Sequence, residues 1–165
     1  MSLIRAYAAT NAQGTLEPYA YDPGDLAPED VEIQVSHCGI CHSDLSMLSN
    51  DWGLTSYPFV PGHEAIGTVV ALGEHTKGLK IGQRVGVGWS AFSCLSCPEC
   101  LRGDHHLCGT TQGTIVGRHG AFADRVRVQW TWARPLPEGL DPAKAGPLLC
   151  GGITVFAPLL AGRGL

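Results

Sequence analysis

The chain has 165 residues, a formal net charge of −4 and only 16% charged residues. This length predicts one domain with a substantial hydrophobic core. The acidic balance argues against nucleic acid or an anionic membrane as the partner. A charged fraction below the ~25% of ordinary soluble chains indicates that part of the surface is normally covered. The longest apolar run, residues 147–161, is shorter than the ~20 residues of a spanning helix.

Glycine and proline are frequent, at 22 and 11 residues, which predicts many turns and short strands. Patterns typical of strands occur at residues 31–35, 65–71, 82–87 and 122–128. In the last of these we expect Phe122, Val126 and Val128 to face the same way. Helical character is confined to residues 153–161, where Pro158 is expected to limit or kink the helix. The pattern predicts a small β-barrel or sandwich-like domain.

The cysteines indicate a reducing compartment. Residues 1–5 carry no apolar core of a signal peptide, so disulfide bonds are not favoured for the seven cysteines. Metal ligation explains seven cysteines better than disulfide bonding does. We therefore expect a cytoplasmic protein.

Four cysteines, Cys94, Cys97, Cys100 and Cys108, fall within fifteen residues, the first three at x-x spacing. A tetrahedral zinc ion needs four converging ligands, and short Cys-x-x-Cys loops turn both sulfurs towards one point. The alternatives are a pair of disulfides or one redox-active Cys-x-x-Cys. Ligand count and spacing favour a closed structural Zn(Cys)₄ site, which holds a loop and leaves no position for chemistry.

Three other stretches offer a second set of metal ligands: residues 38–44 (Cys-Gly-Ile-Cys-His-Ser-Asp), 61–64 (Pro-Gly-His-Glu) and 148–152 (Leu-Leu-Cys-Gly-Gly). A catalytic zinc site needs three protein ligands and one open position. Each stretch is a weak signal alone, because a cysteine such as Cys150 is most often a small core residue. Judged by the residues alone, a catalytic site and ordinary structural roles are equally favoured.

The chain resembles the N-terminal catalytic domain of zinc-dependent medium-chain alcohol dehydrogenases. Within that family it is most similar to the branch of cinnamyl-alcohol-dehydrogenase-like enzymes and bacterial NADP-dependent aldehyde reductases. The matching motifs are residues 38–44, 60–64, the four-cysteine loop, 113–124 and 146–154. They follow the family's order from about residue 30 to the C-terminus. The resemblance implies a mainly β fold, a GroES-like, partly closed β-barrel with few short helices.

The resemblance also implies the ligands of a catalytic zinc ion. Cys41, His63 and Cys150 match the family's ligands, and Glu64 matches a carboxylate that ligates zinc in exchange with water. Zinc in such a site polarises a carbonyl or lowers the pKa of a bound alcohol. Cys38, three residues before Cys41, is expected to be a core residue.

Residues next to the first ligand match further family roles. Ser43 matches the hydroxyl residue that passes on the substrate proton, and Asp44 matches the carboxylate that orients the histidine ligand. His42 matches a position near the cofactor's phosphates or ribose. Many family members continue the proton relay through a histidine where this chain has Ser46. Serine does not take up a proton near neutral pH, so the outer relay would run through His42, the ribose or water.

The tryptophans divide into two pairs. Trp89 and Trp52 match positions that line the substrate pocket in parts of the family, where two indoles would favour flat, apolar aldehydes. Trp130 and Trp132 are expected simply to pack. The remaining histidines are given no role: His37, His75, His105, His106 and His119.

A hydride-transfer enzyme of this family also needs a dinucleotide site. The formal Gly-x-Gly-x-x-Ala match at residues 86–91 runs into the four-cysteine loop, and we interpret it as a coincidence. The family's Rossmann domain is expected to begin beyond Leu165. We therefore predict a catalytic domain at residues 1–150 and the start of a connecting helix at 151–165. The fragment alone is expected to bind two zinc ions but to lack dehydrogenase activity.

The parent protein is expected to be a homo-oligomeric NADP(H)-linked enzyme acting on a primary alcohol or aldehyde. Two interpretations from other classes compete with it. A zinc-binding β-barrel interaction module would bind one zinc ion per chain. A zinc-independent quinone or enoyl reductase on the same scaffold would not keep Cys41, His63 and Cys150 together.

Overall fold

A computed structural model describes residues 3–162. The strands it contains are β1 (Ile4–Ala8), β2 (Glu17–Tyr21), β3 (Asp30–Cys38), β4 (Ala65–Leu72), β5 (Arg84–Val87), β6 (Ser90–Phe92), β7 (Gln112–Gly113), β8 (Arg125–Gln129) and β9 (Arg134–Pro135). The α-helices are α1 (His42–Ser49), α2 (Pro98–Leu101), α3 (Pro142–Ala145) and α4 (Gly151–Ala161). Short 3-10 turns occupy His105–Leu107, Trp130–Trp132 and Gly146–Leu149. The mainly β architecture with few helices is the one predicted.

The centre of the fold is a five-stranded sheet in the order β8-β3-β4-β5-β9. Strand β3 lies antiparallel to β4 on one side and to β8 on the other. Val31 and Ile33 bury their side chains against Val126 and Val128, whereas Glu32 between them belongs to the opposite face of the sheet. This period-2 pattern places one sheet face in the core. The hairpin β1-β2 and the pair β6-β7 flank the sheet.

The strands predicted at 31–35, 65–71 and 82–87 are confirmed as β3, β4 and β5. The prediction for 122–128 is wrong in its first half. Strand β8 begins at Arg125, and Phe122 packs on the β1-β2 hairpin instead of joining Val126 and Val128. The reason is a backbone hydrogen bond: the Phe122 carbonyl accepts from the amide of Tyr7 at 2.9 Å, which draws this segment towards β1.

The prediction that helical character is confined to residues 153–161 is wrong, because α1 spans His42–Ser49. Helix α4 itself differs from its prediction at its first residue and at Pro158. It begins at Gly151 and continues to Ala161, through Pro158. Proline lacks only its own amide, so one helical hydrogen bond is lost and the remainder of the short helix is retained. Its apolar side chains are exposed: Ile153, Val155, Phe156, Leu159 and Leu160. Within residues 3–162 no single helix has the length and apolar character to cross a membrane. The helix pair Pro142–Leu149 and Gly151–Ala161, bent by 56°, meets the requirement for a membrane span by length and composition alone.

A buried ion-pair network joins β3 to β8. The Glu32 carboxylate, 6% exposed, accepts from Arg125 Nη1 at 2.8 Å and from Arg127 Nε at 2.7 Å. Arg127 also donates to backbone carbonyls of residues 23–25. Burial raises the pKa of Glu32, but the two guanidinium groups outweigh burial and hold this pKa below its ordinary value.

We expect Glu32→Gln to lower the free energy of unfolding at pH 7 by roughly 1–3 kcal/mol, since two charge-assisted hydrogen bonds lose their anion. Because the folded pKa of Glu32 lies below its unfolded value, its contribution is complete above the unfolded pKa and is lost as the pH falls through the folded pKa. Urea unfolding over a pH series measures both effects. The control is Glu74→Gln, whose side chain is 75% exposed. Equal unfolding midpoints for the Glu32 variant and the unmodified chain would contradict this assignment.

Candidate metal centre

Four side chains from separate stretches of sequence converge at one point. The donor atoms of Cys41, His63, Glu64 and Cys150 all lie within 4.8 Å of one another. The two sulfurs are 3.9 Å apart, and His63 Nε2 is 3.3 Å from Cys150 Sγ. His63 is fully buried, and Glu64 is 3% exposed. These are the four ligand positions that the resemblance implies, and the fold brings them together.

The pairing of two strands explains why the ligands meet. Cys38, at the end of β3, lies opposite Ala65, at the start of β4. The chain leaving β3 therefore runs beside the chain entering β4, and the Gly39 amide donates to the Glu64 carbonyl at 3.0 Å. Cys41 lies three residues after the end of β3, and His63 lies two residues before the start of β4. Cys150 arrives from the other side, between the Gly146–Leu149 turn and α4.

The Asp44 carboxylate fixes the positions of the ligand-bearing segments. Its Oδ1 accepts from the Gly62 amide at 2.8 Å and from His63 Nδ1 at 3.0 Å. Its Oδ2 accepts from the Cys41 amide at 3.0 Å, which also caps α1. A proton held on His63 Nδ1 leaves the Nε2 lone pair directed at the sulfurs. Asp44 therefore selects the tautomer of His63 and ties it to Cys41.

Two glycines make room for Glu64 beside this cluster. A Cβ atom on Gly39 would overlap Glu64 Oε2, and one on Gly146 would lie 2.7 Å from the Glu64 carbonyl oxygen. Glu64 Oε2 is buried and has no hydrogen-bond partner. A buried carboxylate oxygen without a partner is costly, and a bound cation is one means of satisfying it.

The donor set fits zinc. Two thiolates bound tetrahedrally at about 2.3 Å from zinc are about 3.8 Å apart, close to the 3.9 Å between Cys41 Sγ and Cys150 Sγ. Two sulfurs and one imidazole nitrogen, with a carboxylate beside them, match the composition of catalytic zinc sites.

The electrostatics of the cluster also call for a cation. Burial raises the pKa of Cys41, but hydrogen bonds from the backbone and hydroxyl of Ser43 outweigh it, and the pKa lies below its ordinary value. Burial and the neighbouring Cys41 raise the pKa of Cys150 to about 12. Burial likewise raises the pKa of Glu64. Several adjacent anions are stable together only beside a positive ion, so metal binding and loss of the second thiol proton are coupled.

The four-cysteine loop forms a second cluster. The sulfurs of Cys94, Cys97, Cys100 and Cys108 lie within 4.8 Å of one another. Cys94 Sγ is 3.9 Å from Cys100 Sγ, the separation seen in the first cluster. All seven cysteines are free thiols, so the disulfide alternative does not describe this fold. His105 lies outside the cluster, with its Nδ1 3.3 Å from Ser93 Oγ.

The residues flanking Cys41 differ in their distance from the metal-ligand cluster. The hydroxyl of Ser43 makes a hydrogen bond to the Cys41 thiol and therefore lies beside the cluster. His42 is exposed at the start of α1 and is not among the converging donors, while Ser46 is buried in the same helix. Cys38 is also outside the cluster; it packs against the sheet core, and burial raises its pKa to about 12. This agrees with the core position expected for Cys38.

The indole rings of two tryptophans lie beside the Cys41 cluster. The Trp89 ring meets the His63 ring edge to face, with centroids 5.1 Å apart. Trp52, 47% exposed, makes a similar contact with Trp89 at 6.1 Å. Trp130 packs against the sheet core, and Trp132 contacts His105 at 6.2 Å. The structure thus places Trp89 and Trp52 beside the centre and the other two tryptophans away from it.

Several residues at the site had no role in the sequence interpretation. Gly39 and Gly146 provide the space for Glu64, and Thr114 hydrogen-bonds to the Trp89 segment. Of these residues, only the glycine within Cys-Gly-Ile-Cys carries a signal in the sequence, since a glycine between ligand candidates is consistent with a close approach of another segment. Thr114 stands in a motif shared with the family, but nothing in that motif indicates its contact.

We expect Asp44→Asn to weaken zinc binding at the Cys41 cluster by about 10–100-fold, the effect typical of losing a partner of a histidine ligand. Asparagine keeps one acceptor oxygen, but its amide group opposes one of the three donors that Asp44 satisfies. Competition with a chromophoric chelator measures the affinity. Asp51→Asn, at an exposed position just after α1, is the matched control. Equal affinities for both variants would show that Asp44 does not position the ligands.

The fold is similar to those of solved cinnamyl alcohol dehydrogenases. SbCAD4 from Sorghum bicolor aligns with a TM-score of 0.91 and 35% identity, over 98% of this chain and 48% of that chain. The CAD from Helicobacter pylori, solved in complex with NADP(H), also gives a TM-score of 0.91, with 28% identity over 98% of this chain and 49% of that chain.

Curated proteins give the same result. Aldehyde reductase AdhA from Synechocystis sp. is 53% identical over 158 residues, which are 96% of this chain and 47% of that protein. Cinnamyl alcohol dehydrogenase 7 from Arabidopsis thaliana is 39% identical over 159 residues, 92% of this chain and 44% of that protein. The chain thus spans about half the length of the curated relatives it matches. The resemblance found in the sequence motifs is confirmed.

The family described as "Alcohol dehydrogenase GroES-like domain" matches residues 27–138. This range contains the five-stranded sheet, two of the three predicted catalytic-zinc ligands with Glu64, and the four-cysteine loop. The chain therefore belongs to the alcohol dehydrogenase GroES-like domain family.

Proposed function

We propose that this chain is the zinc-binding catalytic half of an NADP(H)-linked alcohol dehydrogenase or aldehyde reductase. The observation that carries the proposal is the convergence of Cys41, His63 and Cys150, with Glu64 beside them, in a domain of this family. The names of the relatives point to aldehydes and their alcohols as substrates.

In this proposal Cys41, His63 and Cys150 would hold a zinc ion, and Glu64 would be a fourth ligand exchangeable with substrate or water. Zinc, when bound, supplies Lewis-acid polarisation of an aldehyde oxygen and lowers the pKa of an alcohol. The chain's own contribution is to keep the ligand set rigid. Asp44 holds the proton on His63 Nδ1 so that Nε2 faces the ligand cluster.

We assign proton transfer to Ser43, whose hydroxyl lies beside Cys41. A hydroxyl can accept the substrate proton while donating its own to the next group. Ser46 is buried and does not titrate near neutral pH, so we propose the exposed His42 as the outer proton carrier and as a contact for the cofactor. Trp89 and Trp52 would exclude water and contact the flat part of the substrate.

The second half of the reaction would belong to another domain. We propose residues 1–150 as the catalytic domain and 151–165 as the start of a connecting helix, of which residues 163–165 lie outside the described structure. Of the glycines in the formal dinucleotide motif, Gly86 lies within β5 and Gly88 lies between β5 and β6. The motif is therefore not followed by a helix, as a dinucleotide-binding turn would be. NADP(H) as the cofactor is supported by the NADP(H)-bound relative from Helicobacter pylori.

Two broader properties complete the proposal. Seven free thiols, six of them in the two metal clusters, are best preserved in a reducing compartment, and we propose the cytoplasm. We also propose that the whole protein forms a homo-oligomer. The competing interaction-module hypothesis expects one zinc site, whereas two donor clusters are present among the described residues.

Zinc stoichiometry tests the proposal. We expect the purified chain to bind two zinc ions, because two four-donor clusters are present. Cys41→Ser should lose one ion while the fold is retained. Cys97→Ser should lose the other ion together with thermal stability, since that cluster secures a long loop. Metal analysis and thermal unfolding measure both outcomes; a single zinc ion that Cys41→Ser leaves in place would refute the catalytic site.

The isolated 165-residue chain is expected not to oxidise NADPH in the presence of a benzaldehyde-type substrate. In this proposal the residues that position the nicotinamide belong to another domain. Absorbance at the NADPH band follows the reaction. Measurable turnover by the isolated chain would contradict the proposal that another domain binds NADP(H).

A further inference from the structure

We propose that Thr114 is a positioning residue of the Cys41 cluster, acting through Trp89. This inference rests on the proposed function only in treating that cluster as the substrate site. It concerns a residue to which neither the sequence motifs nor the proposed function gives a role.

Trp89 lies where the backbone has no regular support. Strand β5 ends at Val87 and β6 begins at Ser90, so Gly88 and Trp89 form the link between them. The Trp89 side chain nevertheless holds a defined position, edge to face with the buried His63 ring. Something other than a strand ladder must therefore fix the Gly88–Trp89 backbone.

Thr114 provides that fixation with both of its donors. Its hydroxyl donates to the Gly88 carbonyl at 2.6 Å, and its amide donates to the Trp89 carbonyl at 2.7 Å. Two consecutive carbonyls thus accept from one residue, which restricts the orientation of the peptide that joins them. Thr114 is 1% exposed, so water cannot readily replace either bond.

The neighbours of Thr114 lie beside the same indole. Ile115 belongs to the apolar cluster against which both Trp89 and Val116 pack, and a Cβ atom on Gly113 would lie 3.6 Å from Trp89 Cε2. Residues 113–116 therefore border Trp89 at its ring as well as at its backbone.

The Gly88–Trp89 segment also touches the segment that carries the third ligand, Cys150. A Cβ atom on Gly88 would overlap the carbonyl oxygen of Leu149, the residue before Cys150. Thr114 therefore holds Gly88 against the segment that delivers Cys150, while it holds Trp89 against His63. Its hydroxyl proton is committed to the Gly88 carbonyl, so Thr114 does not enter the proton relay.

The experiment compares ring-proton resonances of His63 in the zinc-loaded 165-residue chain. These resonances report the position of the neighbouring indole, and Trp89→Leu defines their values without it. Thr114→Val removes the hydroxyl but keeps the branched shape, and should move the His63 resonances roughly half of the way or more towards the Trp89→Leu values. Thr114→Ser keeps the hydroxyl and should restore them.

Thr111→Val is the matched control. Thr111 lies just before β7, as Thr114 lies just after it; its hydroxyl donates to the Phe92 carbonyl at 3.1 Å and not to Gly88 or Trp89. A general loss of stability would affect both valine variants, whereas displacement of His63 resonances should occur only for Thr114→Val. Unchanged His63 resonances in a folded Thr114→Val chain would overturn the proposal.

A measurement on the unmodified chain covers the case in which Thr114→Val does not fold. The amide of Thr114 should show a scalar coupling across its hydrogen bond to the Trp89 carbonyl carbon and slow hydrogen exchange. Absence of both would overturn the proposal. Failure of the proposed function would instead appear as loss of zinc from the Cys41 cluster with His63 and Trp89 in place.

Discussion

The Asp44 carboxylate is the interaction on which the candidate centre depends. It accepts from the amides of Cys41 and Gly62 and from His63 Nδ1, so a single buried anion joins the start of α1 to the segment before β4. The bond to Asp44 also outweighs burial and raises the pKa of His63. Without this carboxylate, two ligand-bearing segments would lose their common anchor, and the imidazole would lose the partner that fixes its tautomer.

The sheet supplies the framework that makes this anchor possible. Antiparallel pairing of β3 with β4 places the chain leaving one strand beside the chain entering the other, which delivers Cys41 and His63 to one edge. Loops held by a rigid sheet are common locations for ligands. Cys150 reaches the same edge through contacts of Leu149 with Gly86 and Gly88. The four-cysteine loop stands apart from this edge, in the connection between β6 and β7.

Local patterns predicted a large part of this structure. Alternation identified β3, β4 and β5, and Cys-x-x-Cys spacing identified the four-cysteine cluster, because period-2 burial and short ligand loops are properties of neighbouring residues. The residues alone left the Cys41 cluster open, because its ligands lie in separate stretches, and only the family resemblance implied it. The prediction that Phe122 faces the same way as Val126 and Val128 was wrong, because a hydrogen bond with Tyr7, more than one hundred residues away in the chain, positions the Phe122 segment. The space that Gly39 leaves for Glu64, and the bonds of Thr114 to Gly88 and Trp89, likewise arise from contacts between distant residues. No periodicity encodes such contacts.

Zinc K-edge absorption spectroscopy of the purified chain tests the central claim most directly, because it reports the atoms bound to the metal. One site with four sulfurs and one with two sulfurs, one imidazole nitrogen and one oxygen give an average of three sulfurs and one lighter atom per zinc. We expect that average, with sulfur at about 2.3 Å and imidazole scattering from His63. A shell of sulfur alone would show that only the four-cysteine cluster binds zinc, and would contradict the assignment of Cys41, His63 and Cys150 as the metal ligands of the reaction.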